Sequence, residues 1–173
     1  MEITDEIISK LAKIELFSDF AKPTNSNKQI LKKISEKLNV KEFASGDEII
    51  KEGDIGDTLY ILFQGNVQVQ RSTPSKERFA VVNLTSNMNV FFGEIALIDK
   101  DKRSASVVAT TDCKTLTLTG DDFRKLCEEE PILGYHALYH IAKRMAVSLR
   151  RSTEDSLTLY QALIDEVEGN KQD

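Results

Sequence analysis

The feature that most limits the fold is a series of short strand-like runs between residues 40 and 120. The runs are β-branched or aromatic, and Gly46, Gly53, Gly56 and Gly65 lie in the turns between them. Many short strands with glycine-containing turns are typical of antiparallel barrels and jelly rolls. The predicted strands are Glu48–Lys51, Thr58–Phe63, Val67–Gln70, Phe79–Leu84, Ser106–Thr110 and Thr115–Leu118.

Helical patterns flank this region on both sides. Residues 1–39 carry amphipathic repeats, and residues 121–168 return to helical periodicity, with Pro131 suited to the first turn of a helix. We interpret 1–173 as a single domain, which is long enough to bury a real core. The predicted fold class is α+β, mainly β. It is a β-barrel or jelly roll of short antiparallel strands with N-terminal helices, an inserted helical turn and a long C-terminal helix.

The segment 91–107, FFGEIALIDKDKRSASV, interrupts the strands. Gly93 and Glu94 open a short apolar helical turn, and Arg103 follows ten residues after Gly93. A helix N-terminus presents unpaired N–H groups, and an arginine offers a planar fork for phosphate oxygens. A glutamate repels phosphate, so Glu94 should accept a hydrogen bond from a hydroxyl instead. The segment therefore predicts a nucleotide with a free ribose hydroxyl as ligand.

These residues carry a resemblance to a known family. The segment resembles the phosphate-binding cassette of cyclic-nucleotide-binding domains, as in catabolite activator protein and the regulatory subunits of protein kinase A. The match consists of Gly-Glu-Ile-Ala-Leu at 93–97, Arg-Ser-Ala at 103–105 and the spacing between them. It covers nearly the whole chain, because the family's other elements resemble Leu11–Phe20, Phe43–Gly65 and Phe123–Leu149.

The resemblance implies a cyclic nucleotide as ligand and a role for each matching residue. It implies that Arg103 pairs with the exocyclic oxygens of the cyclic phosphate and that Glu94 accepts from the ribose 2′-hydroxyl. Glu94 can equally be a carboxylate favoured by the helix dipole, and both roles are compatible. Gly93 lets the backbone approach the ligand. The other matching positions face the phosphate through backbone amides, or in the last case also a hydroxyl: Ile95, Ala96 and Ser104.

Ser104 also bears on the choice of base. In the family that the chain resembles, a threonine after the arginine often accompanies a preference for cGMP, through a contact to the guanine. Serine occurs in cAMP binders, although it can donate a hydrogen bond too. The resemblance thus implies cAMP before cGMP, and cGMP stays open.

The C-terminal helix has a heptad pattern. Seven-residue spacing relates Leu138, Met145, Ser152 and Leu159, and a second series lies four residues after each of them: Ala142, Leu149, Ser156 and Leu163. The pattern predicts a homodimer through this helix, and an amphipathic helix packed on its own domain is the alternative. The resemblance implies that the helix covers the base, with Ser148 hydrogen-bonded to adenine and Leu149 packed on it.

Composition and spacing argue against other classes. A net charge of −5 and a pI near 5.2 argue against nucleic-acid binding. No run approaches a membrane span and the N-terminus is unlike a signal peptide, so we expect a cytoplasmic protein with no membrane partner. His136 and His140 have zinc-like spacing but no third ligand nearby, and the strands contain no histidine, so we expect no metal and no enzyme.

The expected function is a receptor for cAMP, or for cGMP, without an output domain. It would regulate a separate and unknown effector protein through closure of the C-terminal helix. The alternative is a degenerate cyclic-nucleotide-binding fold that acts as a ligand-independent interaction or dimerisation module.

Overall fold

The computed structural model describes the backbone of residues 3–169 and the side chains of residues 5–167. Four α-helices are present in this range: α1 (Ile3–Leu11), α2 (Asn25–Glu36), α3 (Gly120–Glu129) and α4 (Pro131–Gly169). Eight strands lie between α2 and α3: β1 (Asn39–Phe43), β2 (Glu48–Ile50), β3 (Thr58–Gln64), β4 (Asn66–Ser72), β5 (Arg78–Thr85), β6 (Phe91–Phe92), β7 (Ser106–Ala109) and β8 (Cys113–Thr119). Short 3₁₀ turns span Glu15–Phe20, Ser86–Met88 and Glu94–Leu97.

The strands form two antiparallel four-stranded sheets. Their orders are β1-β8-β3-β6 and β2-β7-β4-β5. The predicted mainly-β jelly roll with flanking helices and an inserted helical turn is confirmed. The sheets do not close into a barrel, because each of them keeps two edge strands.

Side chains from both sheets meet in an apolar layer. Strand β3 lies inside its sheet, between β8 and β6, and Tyr60 and Leu62 point from it into this layer. Burial of such surface contributes roughly 25 cal/mol per Å² and is the main force holding the sheets together. The layer also contains Ile49, Ile50, Val67, Phe92, Val107, Ala109 and Cys113.

Two strands were not predicted from the sequence. Strand β1 is almost wholly exposed, so its residues lack the apolar alternation that marks a half-buried strand. Strand β6 has only two residues, Phe91 and Phe92, and a periodicity of two cannot be recognised in so short a run. Both phenylalanines are buried.

Helix α3 begins directly after β8, and Thr119 caps it. The Thr119 hydroxyl accepts from the Asp122 amide at 3.1 Å and donates to the Asp122 carboxylate at 2.7 Å. An oxygen in this position satisfies an N–H group that the helix leaves unpaired. Helix α4 begins at Pro131, as predicted.

The chain divides into two units, one up to Ala137 and the other from Leu138 onward. The first unit contains both sheets, α1 to α3 and the first residues of α4. The described part of the second unit is the remainder of α4, most of whose side chains are exposed. The assignment of 1–173 to a single domain stays a prediction.

Candidate functional site

The candidate site is built where two loops pair beside the start of β3. The Arg103 amide donates to Asp54 O at 2.9 Å, and Arg103 O accepts from the Gly53 amide at 2.9 Å. An isolated antiparallel bridge joins Ile55 to Lys102 next to them. These bonds fix the backbone of Arg103, although it lies between β6 and β7 in a stretch with little regular structure.

Two carbonyl groups hold the Arg103 guanidinium. Its Nη2 donates to Thr58 O at 2.8 Å, and its Nη1 donates to Gly93 O at 3.2 Å. A guanidinium carries five N–H donors, so these two bonds leave donors for another acceptor. The side chain is therefore oriented by the backbone of β3 and by the start of the helical turn at Glu94–Leu97.

Two glycines make room for this side chain. A Cβ on Gly56 would lie 2.6 Å from Arg103 Nε and 2.7 Å from Nη2. A Cβ on Gly93 would lie 2.8 Å from Arg103 Nη1. Both distances are below any normal non-bonded contact, so a side chain at either position would displace the guanidinium.

Arg103 is fixed in orientation by its carbonyl partners and keeps its positive charge. Among the side chains that the structure describes, no ion pair within 4.0 Å includes Arg103. Burial lowers the pKa of its guanidinium, and Tyr60, Asp57 and Glu94 act in the opposite direction. The group stays charged at neutral pH. A half-buried cation that two backbone carbonyl groups hold in place is a suitable partner for an anion.

The helical turn after β6 begins at a left-handed backbone position. Gly93 precedes the turn with φ 77°, in the left-handed region where a side chain is disfavoured. The Ala96 amide donates back to Gly93 O at 3.3 Å, which is long for an N–H···O bond. Glu94 is half-buried at the first residue of the turn, Ile95 is exposed, and Ala96 is buried.

Asp57 joins the site to the rest of the sheet. Its carboxylate accepts from the Thr58 hydroxyl at 3.1 Å and lies 3.5 Å from the Lys100 ammonium. The hydrogen bond from Thr58 is the main cause that lowers the pKa of Asp57, and Lys100 adds to it. Asp57 O also accepts from the Gly120 amide at 2.7 Å, next to the start of α3.

A buried aromatic pair lies on the same strand. Tyr60 stacks on Phe92 with ring centroids 5.6 Å apart and planes nearly parallel. Burial raises the pKa of the Tyr60 phenol, while the Arg103 charge lowers it and Asp57 raises it. Because Phe92 directly precedes Gly93, this stacked pair anchors the entry to the helical turn on the core.

Six of the eight predicted site residues lie in the segment 91–107, at the helical turn or at Arg103 beside it. Gly93, Glu94, Ile95 and Ala96 form the turn and its entry, and Arg103 returns to Gly93 through its guanidinium. Ser104 is the next residue and is exposed. The remaining two, Ser148 and Leu149, lie on α4 in the second unit and are exposed there. Their roles toward a base stay predictions.

Sequence reasoning missed the residues that hold Arg103 from the other side. It used Gly56 only as a turn residue, placed Thr58 only at the start of a predicted strand, and assigned Asp57 no role in the site. Thr58 acts through its carbonyl oxygen, which every residue type possesses, so no sequence signal could have identified it. Gly56 is different, because its φ lies outside the left-handed range and a close contact is then the remaining reason for a glycine.

The described residues offer no alternative metal centre. Within that part of the chain, no group of three or more His, Cys, Asp or Glu side chains is arranged to hold a metal ion. The His136 ring instead lies 3.2 Å from Asp19, measured from Nδ1 to the carboxylate. In the same range, no helix has the length and apolar character needed to cross a bilayer.

The fold and the arginine site agree with one family of proteins. The family model described as the cyclic nucleotide-binding domain matches residues 40–130, just over half of the chain. The chain therefore belongs to the cyclic nucleotide-binding domain family. The match includes both sheets except for the first residue of β1, and it includes the whole segment 91–107.

This chain is similar to one relative named for cGMP and to another named for cAMP. It is 36% identical over 104 residues to the cGMP-dependent protein kinase, isozyme 1, of Drosophila melanogaster, which covers 59% of the chain and 13% of the relative. It is 38% identical over 94 residues to the cAMP-dependent protein kinase regulatory subunit of Hypocrea atroviridis, covering 54% of the chain and 19% of the relative. The chain thus spans less than a fifth of the length of these two relatives.

A solved structure is similar over most of its length. The crystal structure of a cyclic nucleotide-binding domain from Methylobacillus flagellatus has a TM-score of 0.70 to this chain at 25% identity. The alignment covers 89% of this chain and 82% of that one. This similarity extends well beyond the 91–107 segment.

Proposed function

We propose that this chain is a cyclic-nucleotide receptor whose phosphate site is centred on Arg103. The observation that carries the proposal is the state of its guanidinium, which is half-buried and bound to two carbonyl oxygens. Carbonyl groups orient a guanidinium without neutralising its charge. A cyclic phosphate carries one negative charge and two exocyclic oxygens, and these match the remaining donors of the fork.

The ribose and base contacts form the second part of the proposal. Glu94 accepts from the ribose 2′-hydroxyl, and Gly93 allows the backbone to approach the ligand. Ile95, Ala96 and Ser104 donate to the phosphate, and the Ala96 amide exchanges its long 3.3 Å bond to Gly93 O for this contact. On α4, Ser148 bonds the adenine and Leu149 packs on it. The support for Glu94 is its half-buried position at the start of the turn and its electrostatic effect on Arg103.

The preferred nucleotide in this proposal is cAMP. The similar relatives include one protein named for cGMP and another named for cAMP, so they do not decide between the two. Ser104 supports cAMP, because threonine at this position of the family often accompanies a preference for cGMP. The proposal further includes a homodimer through α4 and an effector protein that responds to closure of this helix, with no catalytic step by this chain. It also includes the absence of nucleic-acid and membrane partners, and a cytoplasmic location.

Calorimetric titration with cAMP, cGMP and 5′-AMP tests the proposal. We expect Arg103→Leu to weaken cAMP binding by about 2–4 kcal/mol, which lies within the range for removing one member of a buried charge pair. The matched control is Lys102→Leu, which removes a neighbouring exposed charge from the same loop and should change affinity little. Equal affinity of Arg103→Leu and wild type would refute this role of Arg103.

The degenerate, ligand-independent module is the competing outcome. A ligand that binds only the native state raises the midpoint of thermal unfolding by mass action. If neither cAMP nor cGMP shifts the midpoint and calorimetry detects no heat of binding, the receptor proposal fails. The fold would then act without a nucleotide.

A further inference from the structure

Ser106 is a polar residue that the fold buries close to Arg103 in the sequence. It is the first residue of β7, three positions after Arg103, and it is 2% exposed. Two threonines, Thr115 and Thr117, are similarly buried, and each of them donates to a backbone carbonyl of the neighbouring strand β1. The Ser106 hydroxyl instead bonds to groups of the segment 48–52. It therefore makes a connection of a different kind.

The two hydrogen bonds of the Ser106 hydroxyl have defined directions. The hydroxyl donates to the Glu48 carboxylate at 2.8 Å and accepts from the Glu52 amide at 2.9 Å. A hydroxyl has one donor, and an ionised carboxylate can only accept. The donor is thus committed to Glu48, and the lone pairs face the Glu52 amide. The Arg78 guanidinium lies 3.0 Å from the same Glu48 oxygen, so the acceptor of the hydroxyl is itself held in place.

Glu52 is fixed at a second point by its own side chain. Its carboxylate accepts from the amide of Ser72, the last residue of β4, at 2.8 Å. The amide of Glu52 and its carboxylate are therefore bonded to two different strands. Because a peptide unit is planar and has only two soft dihedral angles on each side, these bonds restrict the residue that follows, Gly53.

Gly53 and the next residue, Asp54, bind the backbone of Arg103. The Gly53 amide donates to Arg103 O at 2.9 Å, and the Arg103 amide donates to Asp54 O at 2.9 Å. The Ser106 hydroxyl is thus separated from the Arg103 backbone by one restrained residue, Glu52. A change in the position of Glu52 should be transmitted to Arg103 through these two bonds.

Ser106 also lies within an interval in the pairing of two chain segments. The pairing of β2 with β7 places Ile50 opposite Val107. Backbone bonds join the same two segments again at Gly53 and Arg103. The side-chain bond from Ser106 lies between these points. It therefore connects the apolar layer, to which Ile50 and Val107 belong, with the loops that carry Arg103.

From these contacts we propose that Ser106 is a positioning residue of the phosphate site. Its hydroxyl holds the loop 52–54 where that loop fixes the Arg103 backbone, and the backbone determines where the guanidinium can reach. The inference rests on the proposed function and adds a residue that does not touch the ligand. Ser104 differs from it, because Ser104 is exposed and is proposed to contact the phosphate directly.

Removal of the hydroxyl should loosen the site without removing any group that binds nucleotide. In Ser106→Ala the Glu52 amide loses its acceptor, and a partly buried amide in that state is stabilised by turning toward water. The loop 52–54 should then shift, and its bonds to Arg103 should weaken. The guanidinium would sample several positions in place of one.

A double-mutant cycle shows whether Ser106 acts through Arg103. Calorimetric titration to high cAMP concentration compares wild type, Ser106→Ala, Arg103→Leu and the double variant. We expect Ser106→Ala alone to weaken cAMP binding about three- to tenfold, which is the size of one net hydrogen bond. In the Arg103→Leu background the same change should have little effect, because no guanidinium is left to position. An equal loss in both backgrounds, or no loss in either, would overturn the inference.

Thr115→Val is the matched control for a general loss of stability. It removes a buried hydroxyl that donates to Lys41 O at 3.3 Å in the other sheet. Both Thr115→Val and Ser106→Ala should lower the midpoint of thermal unfolding, and only Ser106→Ala should weaken cAMP binding. Ser106→Thr keeps a hydroxyl and should bind cAMP more tightly than Ser106→Ala does. Equal affinity losses in Thr115→Val and Ser106→Ala would reduce the role of Ser106 to stability and overturn the inference.

Amide hydrogen exchange of the ligand-free chain, followed by NMR, separates this inference from the receptor proposal. We expect Ser106→Ala to speed exchange at the Glu52 and Gly53 amides, whereas Thr115→Val should leave both rates unchanged. Unchanged exchange in Ser106→Ala, beside normal cAMP binding by wild type, would overturn this inference alone. A wild-type chain that binds no cyclic nucleotide would overturn the receptor proposal and this inference together.

Discussion

Gly56 lies against the Arg103 side chain so closely that an added Cβ would come within 2.6 Å of Nε. The two residues are 47 positions apart in sequence, and the paired loops bring them together. The contact explains why a glycine occurs at position 56, where the backbone conformation does not require one. It also makes Gly56 a means of moving the guanidinium without removing its charge.

The first prediction concerns this contact. Gly56→Ala should displace the guanidinium from its carbonyl partners and weaken cAMP binding about tenfold, which is about 1.4 kcal/mol. Thermal unfolding without ligand should change little, since an alanine tolerates the backbone conformation at this position. The control is Ile55→Ala, which shortens the adjacent exposed side chain. Unchanged affinity of Gly56→Ala in calorimetry would show that the guanidinium adapts.

Gly93 should behave differently from Gly56. Its φ of 77° is costly for any residue with a Cβ, and the Cβ would also lie 2.8 Å from Arg103 Nη1. We expect Gly93→Ala to lower the free energy of unfolding by about 1–2 kcal/mol and to weaken nucleotide binding as well. Urea unfolding without ligand, run beside Gly56→Ala, checks the difference. A Gly93→Ala chain as stable as wild type would contradict the strain argument.

The third prediction tests the partner of Glu94. Glu94→Gln keeps an acceptor oxygen and loses the charge, so it should weaken cAMP binding by the difference between a charged and a neutral hydrogen bond, about 1 kcal/mol. The same substitution should hardly affect 2′-deoxy-cAMP, because that ligand has no hydroxyl to donate. Calorimetry of both proteins with both ligands forms a complete cycle. The control is Asp99→Asn, which removes an exposed carboxylate on the adjoining loop.

An equal loss of affinity for cAMP and 2′-deoxy-cAMP would contradict the contact between Glu94 and the ribose. The carboxylate would then act through the turn or through Arg103. An effect through Arg103 is plausible on electrostatic grounds, because the negative charge of Glu94 raises the pKa of the Arg103 guanidinium.

The fourth prediction concerns acid stability. The pKa of Asp57 is lower in the folded chain than its usual value of 3.8, chiefly because the Thr58 hydroxyl donates to it. A lowered pKa stabilises the fold above the unfolded-state pKa, and this stabilisation is lost as the pH falls through 3.8 toward the folded-state value. Thr58→Val removes the hydroxyl and keeps the carbonyl that binds Arg103.

We therefore expect the free energy of unfolding of Thr58→Val to fall less than that of wild type between pH 6 and pH 3. Chemical denaturation at both pH values measures the difference. Asp57→Asn, which cannot titrate, is the control and should show a similarly reduced dependence on pH. A Thr58→Val chain with the full pH dependence of wild type would assign the stabilisation of Asp57 to Lys100 and to the backbone hydrogen bond of Asp57.

The parts of the molecule predicted from the sequence are those with a local signal. A run of four apolar residues in β3, all of them buried in the structure, and the glycine turns predicted strands correctly. The turn at 94–97 was located by Gly93 and Glu94, although its geometry is 3₁₀ and its entry residue is left-handed. Arg103 was identified from its spacing to the turn and from the resemblance to a family.

Features that depend on chain segments distant in sequence could not be predicted. The division into two open sheets is set by which edges pair, and a local pattern contains no information on pairing. Thr58 binds Arg103 through a backbone atom. Thr119 caps α3 because β8 delivers its hydroxyl to the start of the helix.

The bond from Arg103 to the first residue of β3 has a thermodynamic consequence. Strand β3 continues into the apolar layer between the sheets through Tyr60 and Leu62. The arginine is thus immobilised by folding, before any ligand arrives, and association with a ligand has less side-chain entropy to lose. Ordering a long side chain at a binding interface costs about 0.5–1.5 kcal/mol. A core substitution that loosens β3 would therefore lower affinity for a ligand that it never touches.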